Sequence, residues 1–356
     1  MTNKEEMVSA GEKQSPDCAR TSSATAISLD LSKGRFYRGA KNRCANLLVN
    51  YKEGCAGNCA YCGLAKTRTG SYDQKTFIMV QWPLFSMDAI IEAINNGPQY
   101  VRRTCISMIS NGRCARDTIA MTERLKKETK VPISILISPT ILKVDDLKAM
   151  RESGADKIGV AIDLATPELF DLYRGKGVSG PHNWEKYWQT VSNGLEIFSE
   201  RNVGIHLMVG MGETEQEMVS TMERSWNIGA VNHLFSFFAE PGSKLENRKQ
   251  PPWPTYLRVQ LARYLIEEKA ILSSDMAFDK DGHIIDFGLP EDDIMEIINL
   301  GIPFMTGGCL DNDGEVACNR PFGNCLPGEK QWNYPYPPDE EELDLIQSHI
   351  FTIGPN

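Results

Sequence analysis

From about residue 45 onward the chain repeats one pattern: a short apolar run bounded by Gly, Pro or Asn, then an amphipathic stretch of helical period, then another apolar run. Strands joined through helices run parallel, because the helix carries the chain back to the starting edge of the sheet. The pattern predicts strands at 47–51, 101–109, 133–138, 157–163, 203–210, 231–239, 276–279 and 303–306. It predicts helices at 86–95, 116–129, 143–153, 183–201, 214–228, 255–273 and 290–300. About eight such units favour an α/β chain folded as a parallel (β/α) barrel, complete or nearly so, with an open doubly wound sheet as the alternative. In barrels of this kind the chemistry sits at the carboxyl ends of the strands, so each candidate residue can be tested by its place along a strand.

The same pattern divides the chain. Residues 1–35 are rich in Ser, Thr, Lys and Glu without periodicity and read as a mobile N-terminal arm. Residues 36–308 form the barrel, and 309–356 a loop-rich C-terminal extension expected over the catalytic face or an edge. A net charge of −9 argues against binding a nucleic-acid backbone. No apolar run approaches the roughly 20 residues a membrane span needs, and the polar N-terminus lacks a secretory apolar core, so the expectation is a cytoplasmic protein.

In a reducing compartment, ten cysteines point to metal or redox chemistry rather than cross-links. Cys55, Cys59 and Cys62 lie together in EGCAGNCAYCGLA, just after the first predicted strand; Cys309, Cys318 and Cys325 form a looser group; Cys18, Cys44, Cys105 and Cys114 are scattered. Three closely spaced thiolates suit a 4Fe-4S cubane with one iron left open, whereas structural zinc takes four ligands. A zinc knuckle borrowing a fourth ligand is the alternative.

The Cys-x3-Cys-x2-Cys spacing, with Tyr61 just before the last cysteine, resembles the radical S-adenosylmethionine (SAM) superfamily. The resemblance implies that the open iron binds SAM, that the reduced cluster cleaves it to a 5′-deoxyadenosyl radical, and that Tyr61 lies near the adenine. VGMGET (209–214) is similar to the glycine-rich motif near SAM in the biotin-synthase-like subgroup, which nominates Gly210, Gly212 and Glu213. Asp163 stands where relatives carry ribose-binding polar residues, although a helix cap is an equal reading. Ser110 and Asn111 are candidates for the methionine end of SAM, against a plain loop. FFAEPGSKLE also resembles a family motif.

If 303–306 is the last strand, Cys309 follows it on the same face as Cys55, Cys59 and Cys62. Cys309, Cys318 and Cys325 are then candidate ligands of a second, auxiliary 4Fe-4S cluster; zinc or unligated buried cysteines are the alternatives. CNRPF (318–322) is similar to the C-terminal motif of archaeal-type two-protein lipoyl synthases, with LDNDGEVA as a longer insertion than theirs. That resemblance implies sulfur insertion into an octanoyl chain on a protein lysine, with the second cluster sacrificed. It also implies three partners: an octanoylated lipoyl carrier protein or peptide, a second related radical SAM protein, and an electron donor such as ferredoxin or flavodoxin. Two readings compete: a radical SAM enzyme whose auxiliary cluster is not sacrificed, and a biotin-synthase-like enzyme acting on a small molecule, for which Cys105 matches one lumen cysteine of that family but two others are missing. Cys44 is expected at the opposite end of the barrel, and with Cys18 reads as incidental.

Overall fold

The computed structural model describes residues 14–323 and 326–353. Six parallel strands form its centre: β2 (Cys44–Val49), β4 (Arg103–Ser107), β5 (Ile133–Ile137), β6 (Lys157–Asp163), β7 (Val203–Val209) and β8 (Val231–Ser236). Two short antiparallel strands, β1 (Cys18–Thr21) and β3 (Leu84–Ser86), extend the sheet, whose order is β3-β1-β2-β4-β5-β6-β7-β8. The sheet does not close by hydrogen bonding between β3 and β8, so this is an eight-stranded, mostly parallel sheet of incomplete-barrel type.

Helices return the chain between strands: α1 (Ser23–Ser28), α2 (Met87–Asn96), α3 (Cys114–Glu128), α4 (Val144–Glu152), α5 (Pro167–Tyr173), α6 (Trp184–Phe198), α7 (Glu215–Asn227) and α8 (Trp253–Lys269). α9 (Glu291–Asn299) and α10 (Glu340–Ile350) follow. Their starts carry the expected signals. Asn183 and Thr166 cap α6 and α5, and Thr214 with Glu217 closes a capping box on α7. Fully buried Ile133, Ile135, Ile158, Val160, Val203, Ile205 and Leu207 form the outer face of the sheet, against which α6, α7 and α8 bury Val191, Met218, Val219, Leu257 and Leu261. Each fully buried aliphatic side chain contributes about 1.5–3 kcal/mol. A buried ion pair, Arg258 to Glu215 at 2.6 Å, ties α8 to α7; the same guanidinium donates to the carbonyls of Ile350 and Thr352 and so fixes the end of α10.

Three expectations fail. The run 276–279 supplies β9 (Ala277–Phe278), which pairs only with β10 (Ile284–Asp286) in a separate hairpin. The run 303–306 is a 3-10 turn over Ile302–Phe304 followed by a single bridge from Met305 to Tyr334; Pro303 lacks an amide proton and favours that turn over a strand. The arm expected over 1–35 holds β1 and α1, with Cys18 buried between β2 and β3; residues 1–13 lie outside the described residues. A four-residue strand carries too little alternation to be read from sequence.

Candidate functional site

The loop after β2 is folded by its own short turns. Cys62 N–H donates to Cys59 O at 3.1 Å and Ala65 N–H to Cys62 O at 3.1 Å. Two further amides turn onto sulfur: Gly57 N–H reaches Cys55 Sγ at 3.3 Å and Leu64 N–H reaches Cys62 Sγ at 3.4 Å. Hydrogen bonds of this kind stabilise anionic sulfur in iron-sulfur sites. Neighbouring loops hold the turn in place, through Ala56 N–H to Ser110 O at 2.7 Å and Ala60 N–H to Tyr173 O at 2.8 Å.

Ser110 and Asn111 are braces of this loop. Asn111 Nδ2 donates to Gly54 O at 3.2 Å, and Ser110 Oγ shares a hydrogen bond with Ser138 Oγ at 2.8 Å. Glu240, in the family-like segment after β8, is another brace: it accepts from the Thr76 hydroxyl and from Met79 N–H at 2.8 Å. Gly63 is required by close approach, since a Cβ there would lie 2.2 Å from Thr76 O and 2.8 Å from Glu240 Oε1.

Burial, and then the neighbouring Cys59 and Cys55, push the Cys62 thiol well above its usual range. Burial raises Cys59 as well, against the pull of Arg174 beside it. Lys75 is buried near the same sulfurs; its ammonium is held down by burial and drawn up by Cys62 and Cys55, and donates to Ala65 O at 2.9 Å. Thiols so placed keep their protons until a metal displaces them. Three sulfurs, two amide donors onto sulfur, and Lys75 and Arg174 close by suit an anionic iron-sulfur cluster.

Tyr61, within this loop, donates to Asp163 Oδ2 at 2.5 Å. Asp163 ends β6 with φ +66°, at a break in the register with β7, and pairs with Arg174 at 3.1 Å. Arg174 also donates to the carbonyls of Ala161 and Ile162 and to Tyr187 Oη. The helix-cap alternative for Asp163 falls away because Thr166 caps α5. Arg174 was missed in the sequence; its position after α5 carries no motif.

Gly210 and Gly212 follow β7 with φ +106° and +117°, a region that favours glycine. Glu213 accepts from Gly210 N–H at 2.6 Å and Met211 N–H at 2.9 Å. Both carboxylate oxygens therefore hold the turn itself. Burial raises the Glu213 carboxyl, opposed by these amides.

A cavity of about 240 Å³ occupies the barrel lumen. Its wall follows the strand alternation: Asn46, Cys105 and Ser107, Gly159, Ala161 and Asp163, His206 and Met208, His233 and Phe235. Tyr61 and Cys62 line it at the carboxyl ends of the strands and Cys309 and Cys318 at the other end; Phe77, Met79 and Trp82 complete the wall, with Trp82 level with Asn46.

The second cysteine group therefore departs from expectation. Arg103, the first residue of β4, donates to Leu310 O at 2.9 Å, and Arg43, just before β2, donates its N–H to Asn319 Oδ1 at 2.9 Å. Cys309 and Cys318 thus cover the amino ends of the strands, opposite Cys55, Cys59 and Cys62. The error follows from 303–306, which does not run up the barrel as a strand. Cys325 lies outside the described residues.

A family profile described as "Radical SAM superfamily" matches residues 49–224. No curated protein matches the chain. Among solved structures, the chain is similar to HydG, a maturase of the FeFe-hydrogenase, with 11% identity and a TM-score of 0.49 over 64% of this chain and 51% of that one. It is also similar to the radical S-adenosylmethionine methyltransferase TsrM from Kitasatospora setae. The form with cobalamin and a 4Fe-4S cluster aligns at 14% identity and TM-score 0.41 over 59% of this chain and 39% of that one. The form with tryptophan and aza-SAM gives 14% and 0.41 over 82% and 60%. The chain spans about half the length of HydG. No helix among the described residues is long and apolar enough to cross a membrane. With its three-cysteine loop after the first parallel strand and the matched span running through β7 into α7, the chain carries a radical SAM superfamily domain, whose cofactors are a 4Fe-4S cluster and SAM.

Proposed function

We propose that this radical SAM enzyme inserts sulfur into an unactivated aliphatic chain, with an octanoyl group on a protein lysine as the substrate. The reading is supported most by the lumen, a largely apolar cavity lined by Cys62 at one end and by Cys309 and Cys318 at the other. Apolar walls with few polar groups suit a hydrocarbon chain.

When bound, the first cluster passes an electron from a reductant, such as ferredoxin or flavodoxin, to SAM and releases methionine and a 5′-deoxyadenosyl radical. The chain's own residues position the reactants. Cys55, Cys59 and Cys62 hold the cluster; Tyr61 and Asp163 form a polar edge for the nucleoside; Phe77, Met79, Trp82, Met208 and Phe235 exclude water from the acyl chain. The broken C–H bond gives its hydrogen to the deoxyadenosyl group. The new C–S bond takes a sulfide from a second cluster, which serves as a sulfur-donating cosubstrate and keeps the remaining electron on its iron. A related radical SAM protein would perform the other insertion.

An anaerobic single-turnover assay with octanoyl-lysine peptide, SAM and dithionite tests this reading. The expected result is 5′-deoxyadenosine together with thiolated peptide and loss of acid-labile sulfide. Formation of 5′-deoxyadenosine with no peptide thiolation, whether alone or with the related protein present, would remove the octanoyl substrate.

A further inference from the structure

At the amino end of the lumen Cys105, Cys309 and Cys318 line the cavity, and Cys44, like Cys105 far from the C-terminal group in sequence, lies buried beside them. Cys44 opens β2, Cys105 sits at the middle of β4, and Cys309 and Cys318 come from the segment that crosses beneath them. Cys318 lines the same cavity as Cys105, and its sulfur shares a donor with that of Cys44. Asn46, one inward position above Cys44, donates from Nδ2 to Cys44 Sγ at 3.5 Å and to Cys318 Sγ at 3.8 Å. Cys309 is held next to Cys318 by its own carbonyl, which accepts from Ala317 N–H and Cys318 N–H, each at 3.0 Å. The close approach extends to Gly308, where a Cβ would lie 1.9 Å from Cys318 O.

Three cationic side chains lie around these sulfurs, one of them, Arg103, paired with Asp156 at 2.6 Å. Arg103 and Lys157 lie near Cys309. Arg320 lies near Cys318, Cys105 and Cys44, and its buried Nε has no hydrogen-bond partner among the described residues. A buried guanidinium N–H without an acceptor is costly, and an anionic group in the lumen would satisfy it. Among the described residues no three His, Cys, Asp or Glu side chains converge tightly enough for one metal ion. Cys105, Cys309 and Cys318 line one cavity, and a cluster takes each ligand on a separate iron.

We propose that Cys44, Cys105, Cys309 and Cys318 together bind an iron-sulfur cluster at the amino end of the lumen, with Asn46 and Arg320 as donors to its sulfurs. This rests on the two-cluster reading above and changes its ligand set: two ligands come from barrel strands, and Cys325 is not needed. It also places the sulfur source across the cavity from the radical source, so that a substrate chain lying between them meets both.

The test is made on full-length protein, reconstituted anaerobically, in which Cys55, Cys59 and Cys62 are replaced by Ala to remove the first cluster. Iron, sulfide and zinc are counted and the reduced cluster is examined by electron paramagnetic resonance. The triple variant is expected to keep one cluster. Adding Cys44→Ala or Cys105→Ala should lower iron and sulfide at least about fivefold, because the lost thiolate leaves an iron without its ligand. Adding Cys18→Ala or Cys325→Ala should leave both unchanged. If the alanine variants do not fold by circular dichroism, Cys44→Ser and Cys105→Ser should retain iron through oxygen ligation with a shifted resonance spectrum. Two outcomes overturn the ligand set alone: unchanged iron and an unchanged spectrum in the Cys44 and Cys105 variants, or loss of the cluster on Cys325→Ala. A triple variant that binds no iron, or binds zinc instead, overturns the two-cluster reading as well.

Discussion

Tyr61 Oη lies 2.5 Å from Asp163 Oδ2, joining the cluster loop after β2 to the carboxyl end of β6 across the mouth of the lumen. The two residues lie 102 positions apart, and each has a second constraint: Tyr61 is fixed between Cys59 and Cys62, and Asp163 is paired with Arg174. Burial, only partly opposed by Arg174, keeps the Tyr61 phenol well above its usual range, so it stays protonated and donates at neutral pH.

Because neither residue is a cluster ligand, Tyr61→Phe and Asp163→Asn should both retain iron while weakening SAM. Tyr61→Phe removes one hydrogen bond to a charged acceptor and should cost about 1.5–3 kcal/mol of stability. Asp163→Asn leaves the Arg174 guanidinium without its charge partner and should cost more, about 3–5 kcal/mol if unrelieved. The SAM dissociation constant and the unfolding midpoint of each variant check this; wild-type SAM affinity in Asp163→Asn would take Asp163 out of the cofactor site.

Gly63→Ala should loosen the cluster loop, since the added Cβ meets Thr76 O and Glu240 Oε1, and one of these is backbone. Overpacking of this kind costs about 1–3 kcal/mol. The measured consequence is faster loss of iron to a chelator at unchanged helical content. Iron loss at the wild-type rate would show that the Thr76–Glu240 contact does not support the loop.

Stability should fall as the medium is acidified, through the buried imidazoles. Burial lowers His182 to about 3, with Arg174 adding to the effect, and lowers His233 to about 3, with His206 adding. A histidine whose folded value lies below the unfolded one, near 6.5, binds fewer protons when folded. Its contribution is therefore complete above pH 6.5 and is lost progressively as the pH falls toward 3. From pH 7.5 to 5.5 the loss is about 1.4 kcal/mol for each of these imidazoles. Urea unfolding at the two pH values should show at least about 2.8 kcal/mol from the two imidazoles together in wild type, and His182→Asn should remove about 1.4 kcal/mol of it. An identical pH response in His182→Asn would exclude His182 as a source.

The cluster loop could be read directly because its meaning is local. Three cysteines within eight residues, glycines between them and Tyr61 at a fixed place carry the resemblance to the superfamily with little help from the rest of the chain. The parallel strands and most helices were also legible, since each records its burial in its own period: 157–163 appears as a strand over Lys157–Asp163, and 203–210 over Val203–Val209. Placement at the carboxyl ends of β6 and β7 then follows for Asp163, Gly210 and Gly212.

What sequence determined alone was therefore the radical SAM loop and the alternating order of elements, because both are written in spacings of a few residues. Only the tertiary structure decided where the remote parts go. It turned 303–306 into a bend, carried Cys309 and Cys318 to the amino end of the barrel, and set them beside Cys44 and Cys105. It also supplied Arg174 to Asp163 and Glu240 to the segment after the cluster loop. Those partnerships depend on burial and charge between residues far apart in the chain, and no local period records which distant side chain will satisfy a buried group.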